Sequence, residues 1–383
     1  MHIILEDIPE IRTNLLPLTF TRPCGALPAG IAETIAERWA RLLPDSTVGF
    51  ATEAYLAAKF PAGGEGDVIV AGHVVPDPAF ARAVASLSAG QWIADSEGRC
   101  IARRGKAEGE ATAISGDIVA YRHLTDIFRS SKELIARDFE LLTAGRTSAP
   151  LPTSCTLIGD PSQLFIEEGA EVEGAFINVK NGPVYIGAGA EVQECVVLRG
   201  PVAVGPKCRV RAGARLLPGT NLGPVTRVGG EISNAVFLGY SNKQHDGFLG
   251  DAIIGHWVNI GAECVASNLK NDYAEIRLWN YGSRRFERTG LLFCGLIMGD
   301  HSKAAIDTTF NTATVVGVGC NIHGTGFPRP FTASFTAGGP QGTERVVLKK
   351  MLATARTAMS HRDVELTQED IDILTHIYNN PDA

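Results

Sequence analysis

From Ile186 to Val228 an aliphatic side chain recurs at every sixth residue without a miss: Ile186, Val192, Leu198, Val204, Val210, Leu216, Leu222 and Val228. A helix repeats every 3.6 residues and a flat strand every two, so neither produces this period. A three-sided coil does, because each short side turns one aliphatic residue inward and a corner follows it. Small residues follow at the corners, as in Ile186-Gly187, Val204-Gly205, Leu222-Gly223 and Val228-Gly229, where a tight bend leaves little room for a side chain. Ile166 and Val172 form an earlier pair, and Ile254 and Ile260 resume the spacing. Residues from about 165 to 326 are therefore expected to form a parallel β-solenoid of six-residue repeats. The period lapses at 231–248 and at 268–298, and both stretches are expected to be loops on the flank of the coil, where solenoids commonly carry function.

The first 146 residues read as α/β, with short apolar strands at 1–5 and 67–71 and helices at 29–43 and 78–87. Thr147–Pro152, with two prolines, reads as a linker. Two helices close the chain, at about 344–360 and 367–378, the second opened by Thr367 with Asp370 three residues on, a capping-box-like start. The expected domains are thus 1–146, 153–342 and 343–383.

Composition narrows the partners. A formal charge of -7 argues against nucleic acid, whose phosphates would be repelled. No apolar run approaches the ~20 residues that span a bilayer, and no basic region precedes an apolar one at the N-terminus; a cytoplasmic protein without a membrane partner is expected. The eight cysteines lack metal-ligand or disulfide spacing, so buried free thiols and no metal site are expected.

The chemistry gathers around the first lapse. Tyr240-Ser-Asn-Lys-Gln-His-Asp-Gly-Phe-Leu-Gly-Asp251 places Lys243 and His245 close together, and Asn259, Ala262, Asn268 and Lys270 follow. A histidine near its ordinary pKa can accept a proton at neutral pH, and amide and ammonium groups can hold a sugar phosphate. His301, in Gly299-Asp-His-Ser-Lys303, is a second possible base or a corner residue.

These residues resemble the acetyltransferase domain of the bifunctional UDP-N-acetylglucosamine pyrophosphorylase/glucosamine-1-phosphate acetyltransferase family. The shared pattern is Lys243, His245, Phe248-Leu249-Gly250-Asp251, Ile254-Gly255, Asn259 and Asn268; Phe248 stands where the family has a phenol. The resemblance implies a left-handed β-helix that transfers an acetyl group from acetyl-CoA to an amino-sugar phosphate. By the same resemblance His245 is the general base and Arg211, Lys243, Asn259, Asn268 and Lys270 meet the sugar phosphate. Ala262 and Asn268 meet acetyl-CoA. A homotrimer is implied, since acyl-CoA sites of this class lie between subunits.

The likeness extends to a subgroup of sugar nucleotidyltransferases through Asn14-Leu-Leu-Pro-Leu-Thr-Phe-Thr-Arg-Pro23 and Gly326-Phe-Pro-Arg329. It implies a Rossmann-like nucleotidyltransferase fold at the N-terminus, with Arg12, Thr19 and Arg22 as nucleotide contacts, a nucleotide sugar as ligand, and Mg²⁺ only if that domain turns over. Asp7-Ile-Pro-Glu10 replaces the family's glycine-rich loop and Cys24 its lysine. The alternatives to acyl transfer are sugar-1-phosphate nucleotidylyl transfer, with the solenoid a scaffold, and nucleotide-sugar binding without turnover.

Overall fold

All eight residues of the six-residue repeat lie inside the coil, none more than 1% exposed. They alternate among three parallel sheets, whose first strands are Thr156–Ile158, Leu164–Ile166 and Glu171–Val172. These sheets, the first, second and third faces, hold eight, nine and ten strands among the described residues. The result is a parallel β-solenoid of the left-handed β-helix type. The computed structural model describes residues 1–113 and 118–380. Contacts divide the chain into two units: Met1–Ala29 with Glu33–Asp126 and Gln368–His376, and Gly30–Ala32 with the chain from Ile127 to Thr367 and from Ile377 onward.

The first lapse in the period is not a loop. Val210 pairs with Val228 eighteen residues on, but Val228 pairs with Lys243, fifteen on. The strands Glu231–Ser233, Val236–Phe237 and Asn242–Lys243 continue the three faces in register. A shortened coil with a lysine in an aliphatic slot hides from a six-residue count. The second lapse does leave the coil, as an antiparallel hairpin of Arg277–Asn280 and Arg285–Arg288. Trp279 stacks on Phe331 at 4.1 Å and Tyr281 meets the same ring edge-on, which holds the insertion against the late coils, whereas Tyr273 is exposed.

Two helices complete the solenoid unit. Ser131–Thr143 lays Ile135 and Phe139 on Phe165, Tyr185 and Ala203 of the second face. Leu348–Ser360 buries Met351, Ala355 and Met359; it lies along the third face, with Met351 over Gly319 and, just past its end, Arg362 bonded to Asn242. This helix starts later than the sequence pattern implies, because Gly342–Arg345 is a strand paired with Thr336–Gly339.

In the N-terminal unit the strand order is Thr47–Ala51, His2–Glu6, Val68–Ala71, Cys100–Arg103, Trp92–Ala94, Thr112–Ala113. The first three run parallel and Cys100–Arg103 antiparallel. The helix expected from residue 29 begins only at Ile35. Thr34 and Glu37 form a capping box there, and Ala29 N–H bonds Glu33 O instead. Trp39 and Phe80, on Ile35–Leu42 and Pro78–Ala85, meet edge-on in the core at 5.6 Å. All eight cysteines are free; Cys100 and Cys195 are exposed and Cys155 half-buried, contrary to the expected burial of all eight. No helix among the described residues is long and apolar enough to cross a membrane.

Candidate active site on a solenoid corner

Each coil turns three corners, and the candidate residues distribute among them. Arg211, His245 and Ala262 share the corner between the third face and the first, following the strands Arg209–Val210, Asn242–Lys243 and Asn259–Ile260. Backbone bonds stack the His245 turn on those that follow: Glu263 N–H donates to Asp246 O at 3.1 Å, and Asp307 N–H to Ala262 O at 2.9 Å. Glycine is required within the stack. Gly247 has φ of +120°, and a Cβ there would lie 2.1 Å from Cys264 O.

Lys243 holds this corner from beneath. It occupies the inward column between Val228 and Ile260 and is 1% exposed. A buried ammonium is costly without acceptors. Its Nζ turns back to donate to His245 O at 2.6 Å and Asp246 O at 3.0 Å. Burial draws its pKa below the ordinary lysine value. Lys243 thus fixes the backbone that presents His245, whose exposed imidazole makes no hydrogen bond with the described residues. Arg211 is exposed on the same corner.

The other expected residues lie elsewhere. Asn259 is exposed on the third face and accepts from Asn242 Nδ2 at 3.2 Å. Asn268 belongs to the corner between the first and second faces, where its Nδ2 donates to Asp251 Oδ2 at 2.7 Å, while Asn234 donates to Asp251 Oδ1 at 2.7 Å. Lys270 Nζ donates to Glu275 O at 2.9 Å. Within one chain, therefore, first-face strands separate Asn268 from His245.

His301 takes the remaining corner, between the second and third faces, in left-handed conformation at φ +60°. It ends a ring ladder in which Tyr240 stacks on Trp257 at 4.5 Å and Trp257 on His301 at 6.4 Å. Beside it a cavity of about 450 Å³ opens between the late third-face strands and the tail, lined by His301, Lys303, Asn321, Glu344, Lys350 and Met351 among others. Lys303 Nζ donates to Trp257 O, and burial pushes its pKa down to about 8. The sequence singles out His301 within Gly299–Lys303, but the cavity needs the tail helix, which no local pattern brings to it.

In the N-terminal unit, ligands of such α/β sheets meet the C-terminal ends of parallel strands. Here that rim is occupied by Asp7. Its carboxylate accepts Cys24 N–H at 2.8 Å and Thr52 Oγ1 at 2.6 Å, and pairs with Arg12 Nε at 3.5 Å. Arg12 is buried, with Nη2 donating to Thr19 O and to Tyr55 Oη at 2.7 and 2.6 Å; Thr19 Oγ1 returns a bond to Arg12 O. Arg22 is also buried. Cys24 is fully buried and its thiol is held well above its ordinary value by burial and by Asp7. His73, beyond Val68–Ala71, is pushed down to about 4 by burial, with Arg122 and Arg99 adding to it. Among the described residues no group of three or more His, Cys, Asp or Glu could hold a metal ion.

Residues 3–147 match a family model described as sugar nucleotidyl transferase. Curated relatives include three proteins named bifunctional protein GlmU. That of Methanocaldococcus jannaschii is 32% identical over 118 residues, 31% of this chain and 27% of the relative. That of Cupriavidus taiwanensis is 35% identical over 129 residues, 33% of this chain and 27% of the relative. That of Azoarcus sp. is 39% identical over 67 residues, 17% of this chain and 15% of the relative. The chain spans about a quarter or less of the length of the curated relatives it matches. The α/β unit thus matches the sugar nucleotidyl transferase model, and about a third of the chain resembles part of proteins named bifunctional protein GlmU.

Proposed function

We propose that the solenoid transfers an acetyl group from acetyl-CoA to the amine of an amino-sugar phosphate of the glucosamine-1-phosphate kind. The observation that carries this reading is the placement of Arg211, His245 and Ala262 on one corner, His245 and Ala262 on successive turns and Arg211 two turns before His245, with Lys243 bracing the backbone behind the histidine. In the reaction the amine nitrogen bonds the acetyl carbon, the carbon–sulfur bond breaks, and His245 takes the ammonium proton. Arg211 meets the phosphate. Asn268 stands on another corner, so the reading includes a homotrimer in which a neighbouring copy brings Asn268 and Lys270 to each His245.

The test is release of CoA thiol from acetyl-CoA and glucosamine-1-phosphate. His245→Ala is expected to lower turnover by about 100-fold or more, with sedimentation and circular dichroism unchanged. Turnover equal to that of the unaltered protein removes His245 from the mechanism.

A second reading rests on the family match over residues 3–147: the N-terminal unit binds a nucleotide sugar or forms one from a nucleoside triphosphate. Pyrophosphate release from UTP or dTTP with Mg²⁺ and sugar phosphates tests formation. Binding of UDP-N-acetylglucosamine without such release supports the ligand-only form.

A further inference from the structure

On the third face, away from the His245 corner, the outward positions of consecutive rungs read Glu191, Arg209, Arg227, Asn242. Rungs of a parallel sheet stand about 4.8 Å apart, so Arg209 and Arg227 project side by side. Like charges so placed are destabilising without a counter-ion. The one carboxylate of this run, Glu191, is already engaged. It lies beyond Arg209, accepts from Arg209 Nε, and takes Gln193 Nε2 as well.

Arg227 is half-buried, and its guanidinium has neither an ion pair nor a hydrogen bond among the described residues. A third guanidinium closes over it from the tail. Arg362, just past Leu348–Ser360, bonds Asn242 Oδ1 at 2.9 Å, one rung above Arg227. Its Nε is buried and has no acceptor. Both Arg227 and Arg362 are drawn below the ordinary arginine value by burial first and then by neighbouring arginines.

We propose that Arg227 and Arg362, with Arg209 at the rim, form a binding site for a tetrahedral oxyanion of the phosphate class. Planar guanidinium forks match such an anion, and its oxygens supply the acceptors that Arg227 and the Arg362 Nε lack. Arg362 comes from the tail, so binding also locks the tail helix onto the third face. The site does not depend on acetyl transfer, since none of its three arginines belongs to the His245 corner.

The test is thermal unfolding of the full chain at constant ionic strength, titrated with inorganic phosphate, glucosamine-1-phosphate, UDP-N-acetylglucosamine or chloride alone. Inorganic phosphate is expected to raise the midpoint, and Arg227→Gln and Arg362→Gln each to weaken its apparent affinity by about tenfold or more. A stronger shift with one of the phosphorylated compounds, lost in the same variants, identifies an esterified phosphate as the ligand. Without phosphate, Arg227→Gln is expected to unfold at the same temperature or higher, because it relieves repulsion. The proposal is overturned if phosphate raises the midpoint no more than chloride, if Arg227→Gln keeps the full shift, or if that variant unfolds earlier without anion. The last result would make Arg227 a structural residue.

Discussion

Lys243 illustrates what a residue count can and cannot show. Its motif marks it as a candidate phosphate contact; in the structure its ammonium bonds two carbonyls of its own corner. Lys243→Met keeps the stem but leaves the His245 carbonyl without its donor, while Asp246 O keeps only that of Glu263 N–H. It is expected to destabilise the solenoid by about 1–3 kcal/mol in urea unfolding and to lower acetyl transfer through His245. Titration separates two further buried groups. Lys303 is held at about 8, below its unfolded value. From pH 8 to about 10.5 the unfolded chain keeps a proton the folded chain has lost, so stability from this group rises with pH across that window. Lys303→Met should abolish that rise in a pH series of melting temperatures. His73, held at about 4, gives a loss of stability as pH falls from about 6.5 to 4, where the unfolded chain takes up a proton the folded one refuses. His73→Phe should flatten that acid limb; an unchanged limb would assign it to other groups.

At the scale of elements, the six-residue period made the solenoid legible because its cause is local: one inward aliphatic residue per face, as the burial of Ile186 to Val228 bears out. The short coil at 231–248 was illegible because three residues were missing and Lys243 filled an aliphatic slot. The helix at Ile35–Leu42 was overextended toward Ala29 for another reason. Ile31 continued the apolar spacing, yet the capping box of Thr34 and Glu37 sets the start. Thr34→Ala removes that cap and should cost about 1 kcal/mol in denaturant unfolding, with no change at the solenoid corner. The cavity beside Lys303 and the arginine cluster escaped the sequence because each joins coil residues to a tail distant in the chain.

For the whole molecule, the expected site residues lie on different corners of a three-sided coil. Arg211, His245 and Ala262 share one, whereas Asn268 is tied to Asp251 on another. One chain cannot join them across its own first face. A ring of copies can, since a heterologous interface sets one corner of a protomer against a different corner of the next. The family resemblance implies such a ring, and the placement of the two groups on different corners supports proposing it.

Mixed assemblies of His245→Ala and Asn268→Ala chains, made by joint refolding at equal amounts, test it most directly. Each variant alone should be inactive. If each site draws His245 from one copy and Asn268 from its neighbour, random mixing should restore acetyl transfer to about a quarter of the unaltered rate. Mixed trimers that stay as inactive as the separate variants would contradict a shared corner site.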